Sequence, residues 1–283
     1  MTPQDFAALP RLLTFTVDVE DHLGDGSKRF AAMTRRLLDF LDERSARGTF
    51  FVVGEAARGE PGLVREVAAR GHEVGSHGHR HVPLTLDDPA RFRRGIADTR
   101  AMLEDMAGQA VLGFRAPVFS LTAATAAWGV EALAEAGFAY SSSVLPARGF
   151  AYGLPGAPRR PFVWAGRGDL LEIPCPVGRI GPLHLPFLGG MYLRYLPPWR
   201  LRRLARGLDP ATPGLWAYCH PYDVDTEEPF ARAQGRGLIP SLFLWCNRGV
   251  ALRRLRVLME GRTSVPFGER LAELRRDAPV FGV

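Results

Sequence analysis

The chain has 283 residues, 46% hydrophobic and 23% charged, with a formal net charge of +6; this excludes a disordered chain and is enough to bury a sizeable core. Three cysteines, Cys175, Cys219 and Cys246, lie far apart with no CxxC pair, which excludes a disulfide framework and a thiolate zinc site and suits a reducing compartment. The positive charge comes from arginine runs such as "RLRRLAR" (200–206) with no helix-turn-helix, zinc-finger or RNP pattern beside them, so no nucleic-acid partner is expected.

"LLTFTV" predicts the first strand, and a helix follows from about Ser27 to Arg47, with Leu37, Leu38 and Leu41 on one face and Gly48 as its stop. "TFFVVG" is the second strand. "PGLVREVAARG" is a short helix opened by Pro61 and closed by Gly71, feeding the strand "HEVGS". A helix starts at "DDPARF" and ends before Gly108; "AVLGF" is a strand, "TAATAAWGVEALAEAG" a helix and "FAYSS" a strand. This alternation predicts βαβ units around a parallel sheet or barrel.

From residue 147 to 198 the pattern decays into Gly and Pro, broken by "LLEIPCPV", which reads as one strand. Irregular chain of that length inside a compact domain is more often functional than idle. Order returns with a basic helix near 199–206, the strand "LWAYC", the apolar run "LIPSLFLW" and a last helix over 249–260. The expectation is one domain over residues 1–283 with an irregular insertion at about 147–198. The start "MTPQDFAALPRLLTF" has no leader pattern and no run reaches ~18 apolar residues, so a cytoplasmic location is expected.

Chemistry concentrates after the strands. "FTVDVEDH" puts Asp18, Glu20 and Asp21 at the end of the first strand, and "SHGHRH" puts His77, His79 and His81 just past the third. Two imidazoles and a carboxylate around one ion, with open positions left, make a hydrolytic metal site. Arg115 in "GFRAPVF" and His220 in "WAYCHPYD" follow two further strands. In parallel α/β sheets and barrels the carboxyl ends of the strands converge on one face, where ligands bind.

These segments resemble the polysaccharide deacetylase domain of carbohydrate esterase family 4, in order and spacing over roughly residues 12 to 223. "FTVDVED" is similar to the family's Asp-rich first motif, "SHGHRH" to its Ser-His-x-x-x-His motif, "RAP" to its Arg-x-Pro motif and "WAYCH" to its strand ending in His. The wording "VDVEDH", "HEVGSHGHRH", "GFRAPVFS" and "HPYDVD" is similar to a subgroup associated with bacterial exopolysaccharide biosynthesis. The resemblance implies an α/β fold, a distorted (β/α) TIM-like barrel of the polysaccharide deacetylase type. It implies a metal-dependent hydrolase that removes an N-acetyl or formyl group from an amino sugar. Asp18 would be the general base, Arg115 its orienting partner and His220 the general acid. His77 and His81 would hold a divalent ion, zinc first, with cobalt, manganese or nickel as the other fits.

The match departs from the family in two places. Val19 follows Asp18 where a second aspartate is usual; Glu20, on the same side of the strand, or Asp21 beyond its end takes the ligand role. "FAYSSSVLP" holds Ser141, Ser142 and Ser143 where the family supplies an aspartate to steady the acid histidine, leaving Asp223 or Asp225 as its partner. Pro117, and Tyr192 and Arg194 in "GGMYLRYLP", are the candidate substrate contacts. The expected partner is an acetylated amino sugar or glycan, phosphate- or lipid-linked, with peripheral membrane association through the basic C-terminal third. The rival readings are a metal-free cyclic ureide or imide hydrolase on the same scaffold and a non-catalytic carbohydrate-binding protein.

Overall fold

The computed structural model describes residues 1–23, 27–149, 152–166, 169–208, 213–232 and 237–283. In chain order it runs through β1 (Leu12–Val19), α1 (Arg29–Asp42), β2 (Gly48–Val52), α2 (Gly54–Gly59), α3 (Pro61–Ala69), β3 (Glu73–Ser76), α4 (Pro89–Ala107), β4 (Gly113–Phe114), α5 (Ala126–Glu135) and β5 (Tyr140–Ser141). Then follow β6 (Phe162–Trp164), β7 (Leu171–Glu172), a hairpin of β8 (Val177–Ile180) and β9 (Leu183–Pro186), α6 (Gly190–Tyr195), α7 (Pro198–Arg206), β10 (Trp216–Cys219), α8 (Leu238–Trp245), α9 (Ala251–Met259), β11 (Thr263–Ser264), α10 (Leu271–Arg275) and β12 (Val280–Phe281).

The main sheet has the order β10-β1-β2-β3-β4-β5-β7-β6-β12, with β11 also on β1. From β10 to β7 each neighbouring pair is parallel, and β1, flanked by β10 and β2, is buried over nearly its whole length. In a flat sheet β10 and β7 would lie about 29 Å apart, six strand spacings. Instead Phe51 of β2, Tyr140 of β5, Leu171 of β7 and Trp216 of β10 pack in one cluster, and the Trp216 indole donates to the Pro174 carbonyl at 2.9 Å. The sheet therefore curls round its own inner side chains. Among the described residues no ladder joins β10 to the β12 edge, so the barrel is distorted and incomplete.

The foot of this interior is closed by Glu73, which accepts from Thr49 Oγ1 (2.6 Å), the Tyr140 hydroxyl (3.0 Å) and the Gly268 N–H (3.0 Å). Tyr140 reaches it by crossing over Gly113, where an added Cβ would come within 2.0 Å of the ring; only glycine fits there. The helices cover the outside. α4 begins as its sequence predicts: Asp88 accepts from the Arg91 N–H at 2.8 Å, Pro89 fills the first turn, and Gly108 closes it at φ 63°.

The stretch 147–198 is more ordered than expected: it holds β6, β7, the β8–β9 hairpin and α6, although its residues 150–151 and 167–168 lie outside the described ones. "LLEIPCPV" is split between Leu171–Glu172 of β7 and Val177, the start of β8, because Pro174 and Pro176 between them cannot donate to a ladder. The tail beyond the last expected helix adds β11, α10 and β12. No helix among the described residues is long and apolar enough to cross a membrane.

Candidate metal and catalytic site

Asp18 stands at the carboxyl end of β1, in register with Phe51 of β2. Its Oδ1 accepts from Arg115 Nη1 at 2.7 Å. Arg115, just past β4, is wholly buried, its guanidinium 4.2 Å from the ring centres of both Phe51 and Trp216. Three more of its donors go to Thr16 Oγ1 (2.8 Å), Ser142 O (3.2 Å) and Ser142 Oγ (3.0 Å). A guanidinium held by four hydrogen bonds is a fixed charge. Burial of Asp18 opposes its ionisation, but the charge of Arg115 above all, with that of His220, outweighs it and holds the carboxyl below its ordinary range.

Two residues on, Glu20 points to the same side. One nitrogen or oxygen from each of Glu20, His77 and His81 lies within 4.8 Å of the others, a spacing that one ion could bridge. His77 is buried, and its Nδ1–H donates to the Arg115 carbonyl at 2.8 Å, which leaves Nε2 as the lone-pair nitrogen. Burial pushes His77 down to about 4, partly countered by Asp18, so it is a neutral imidazole, as a ligand must be. Glu20 Oε2 is buried without a hydrogen-bond donor and faces Nε2 of His81. An orphaned carboxylate oxygen turned to an imidazole nitrogen fits a shared cation, and the O/N/N donor set suits zinc or another divalent first-row metal.

Opposite, His220 follows β10 with Nε2 3.9 Å from Asp18 Oδ2. Its Nδ1–H donates to Asp223 Oδ2 at 2.9 Å, and the ring stacks on Tyr222 at 4.6 Å. Burial works against its charge, but the bond to Asp223 and the charges of Asp223, Glu20 and Asp18 prevail and raise it to about 9. These groups line a cavity of roughly 290 Å³, which Val118, Phe119, Met191, Tyr192, Tyr218 and Leu244 help to wall. Val118 and Phe119 stand at φ 53° and 55°, a left-handed pair costly for bulky side chains and retained here where they face the site.

Asp18, Glu20, His77, His81, Arg115, Tyr192 and His220 are thus brought together, and three expectations need correction. Asp21 lies beyond the strand end, outside the trio of ligand atoms, because strand alternation carries Glu20 rather than its neighbour to the inner side. Pro117 is buried behind the cavity wall, opening the turn that bears Val118 and Phe119, and borders the adjoining cleft with His79. Arg194 is buried away from the cavity: its Nε lies 3.0 Å from Asp223 Oδ1, and its Nη1 donates to the carbonyls of Leu244 (3.0 Å) and Cys246 (2.9 Å). A guanidinium that holds helix-end carbonyls and faces a buried carboxylate is committed to the interior, out of a sugar's reach. Of the two aspartates weighed as partner of His220, Asp223 is in place, while Asp225 pairs with Arg29 at 2.7 Å. His79 turns outward to Thr99 Oγ1 at 3.0 Å. The walls Met191 and Leu244 carried no signal in sequence; the three-residue spacing of His220 and Asp223 was the one cue to that pair.

A curled parallel sheet with an arginine-held aspartate, a Glu-His-His trio and an opposing histidine at its strand ends defines an α/β barrel of the deacetylase type. Residues 11–141 match the family model "Polysaccharide deacetylase", and residues 142–271 match a domain of unknown function (DUF3473). Over residues 11–141, a little under half of its length, the chain is thus similar to the polysaccharide deacetylase family. It is similar to a peptidoglycan-N-acetylglucosamine deacetylase of Bacillus cereus (31% identity over 98 residues, 35% of this chain and 36% of that protein). It also resembles a chitooligosaccharide deacetylase of Rhizobium leguminosarum bv. trifolii (42% over 66 residues, 23% of this chain and 31% of that protein). These matches span about a third of the relatives' length. Among solved structures, a candidate polysaccharide deacetylase from Mycobacterium smegmatis shares the fold at TM-score 0.59 and 22% identity, over 93% of this chain and 90% of that one. So does a CE4 family pseudoenzyme from Bacillus anthracis, at TM-score 0.50 and 14% identity, over 97% of this chain and 70% of that one.

Proposed function

We propose that the chain is a metal-dependent hydrolase that removes an N-acetyl or formyl group from an amino sugar of a glycan or glycan precursor. The observation that carries this reading is the convergence of Asp18, the Glu20-His77-His81 trio and His220 on one cavity. Glu20, His77 and His81 would hold the ion, which when bound supplies Lewis acidity toward water and the amide carbonyl. Asp18, kept ionised by Arg115, takes a proton from the attacking water. His220, charged at neutral pH and held by Asp223, gives one to the departing amine through Nε2, the nitrogen turned to the cavity. Tyr192 and Phe119 offer flat faces for a sugar ring beside these groups.

The test is metal content of the purified protein and acetate release from chitooligosaccharides, with and without chelator, for the wild type and Asp18→Asn. Chelator-sensitive release that Asp18→Asn abolishes supports the reading. Ring opening of a cyclic ureide that survives chelation would replace it with the metal-free rival. Glycan binding without release by either protein would make this chain a binding module.

A further inference from the structure

We propose that the outer face of α8 docks on an anionic lipid surface and holds the catalytic cavity close to it. α8, "LIPSLFLW", is built inside out. At about 100° per residue, Leu238, Ile239, Leu242, Phe243 and Trp245 fall within one arc of about 160°, and all five are exposed, Ile239 to 68% and Phe243 to 48%. Ser241 and Leu244 lie on the opposite arc: the serine is buried, and the leucine walls the cavity. A stable helix on a water-facing surface has the reverse pattern, and a contiguous exposed apolar face marks an interaction site.

The helix is held rigidly in this pose. Arg194 caps the carbonyls of Leu244 and Cys246, Arg248 Nε donates to Leu244 O at 3.0 Å, the Tyr195 hydroxyl donates to Phe243 O at 2.9 Å, and the Trp245 indole donates to Glu228 O at 2.8 Å. Its outward apolar residues are therefore presented by a buried polar frame.

Charge identifies the occupant. From residue 229 to 259 the sequence contains six arginines (232, 236, 248, 253, 254 and 256) and no aspartate or glutamate. Arg232, ahead of the helix, and Arg253 and Arg256 on α9 are exposed. An apolar face in a segment whose exposed charges are arginines complements an anionic headgroup layer, where apolar burial and electrostatic attraction add. α8 is too short to span a bilayer, so it lies in the interface. Leu244 faces the cavity from the same helix, so docking brings the site within about one helix diameter, ~10 Å, of the lipid. A substrate carried on a lipid or held at the membrane would then need no long excursion. The docking itself does not rest on the deacetylase reading.

The test is co-sedimentation of the full chain with vesicles of phosphatidylcholine alone and of phosphatidylcholine with phosphatidylglycerol, at low and high salt, beside thermal midpoints and solution mass. The wild type should sediment with the anionic vesicles and less so in high salt. Ile239→Glu, and separately Leu238→Ser, should lower that binding about tenfold or more with the midpoint unchanged, because each removes an apolar side chain from the interface. Arg232→Glu should flatten the salt dependence. No sedimentation with either vesicle, or binding indifferent to both apolar substitutions, overturns the proposal. A wild-type dimer that Ile239→Glu converts to monomer also overturns it, and assigns the face to a second copy of the chain.

Discussion

Asp18, His77 and Arg115 stand on, or one residue beyond, β1, β3 and β4, strands of one parallel sheet, and their backbone is fixed by ladder hydrogen bonds before any side chain acts. His220 follows β10 but takes its orientation from Asp223 in its own turn, and Asp223 in turn faces Arg194 of α6. The side proposed for base and metal is set by strand register; the side proposed for the acid is set by a chain of buried charges. Substitution on the first side should remove chemistry, whereas on the second it should retune a proton and loosen the fold.

The largest effect is expected at His77. His77→Ala deletes a buried imidazole, proposed as a ligand and held to the Arg115 carbonyl, so metal analysis should find the purified variant depleted, with turnover lower by about 10⁴-fold or more, the loss of several kcal/mol of charge stabilisation. Retention of stoichiometric metal would show that the ion sits elsewhere. Next comes Asp18→Asn, which keeps the shape and the ion but removes the base; kcat should fall about 10³-fold with metal content unchanged. Its melting midpoint should also drop, since Arg115 then lacks a buried counter-charge.

The acid side gives a comparison of signs. In its proposed role as acid His220 must carry its proton, so activity should fall as pH rises through its value of about 9. Asp223→Asn removes the carboxylate that raises it, and the basic limb should move down toward the ordinary histidine range near 6.5, with kcat at neutral pH lower by about 10- to 100-fold. Arg194→Met should do something different. It strips the counter-charge from Asp223, costing about 3–5 kcal/mol of stability measured by denaturant, while Asp223 still holds His220 and the basic limb does not move down. A downward shift in both variants would break the assignment of Arg194 to a supporting role.

How far the site could be read from the chain follows the same division. Asp18, His77, His81, Arg115 and His220 were legible because an apolar strand followed by a polar residue is a local pattern, and parallel strands deliver their carboxyl ends to one face. Glu20 over Asp21 needed only strand alternation. Arg194 was not legible: its partners, the carbonyls of Leu244 and Cys246 and the carboxylate of Asp223, are far along the chain, and a buried guanidinium reads locally like an exposed one. Nor did period-based reading find β11 or β12, each two residues long. The apolar run at 238–245 was visible, but its outward face is a tertiary fact.

The smallest expected effect is at Tyr192, the one candidate substrate contact that lines the cavity. Burial raises its hydroxyl, so the phenol stays protonated through the working pH range and can only donate or accept a hydrogen bond. Tyr192→Phe keeps the ring face and removes that bond, worth about 0.5–1.5 kcal/mol, so KM for a chitooligosaccharide should rise about 2- to 10-fold with kcat little changed. Tyr192→Ala removes the face too and should raise KM further. If Phe instead lowers kcat and leaves KM alone, the hydroxyl touches the reacting amide rather than the sugar, and Tyr192 belongs with Asp18 and His220 in the chemistry.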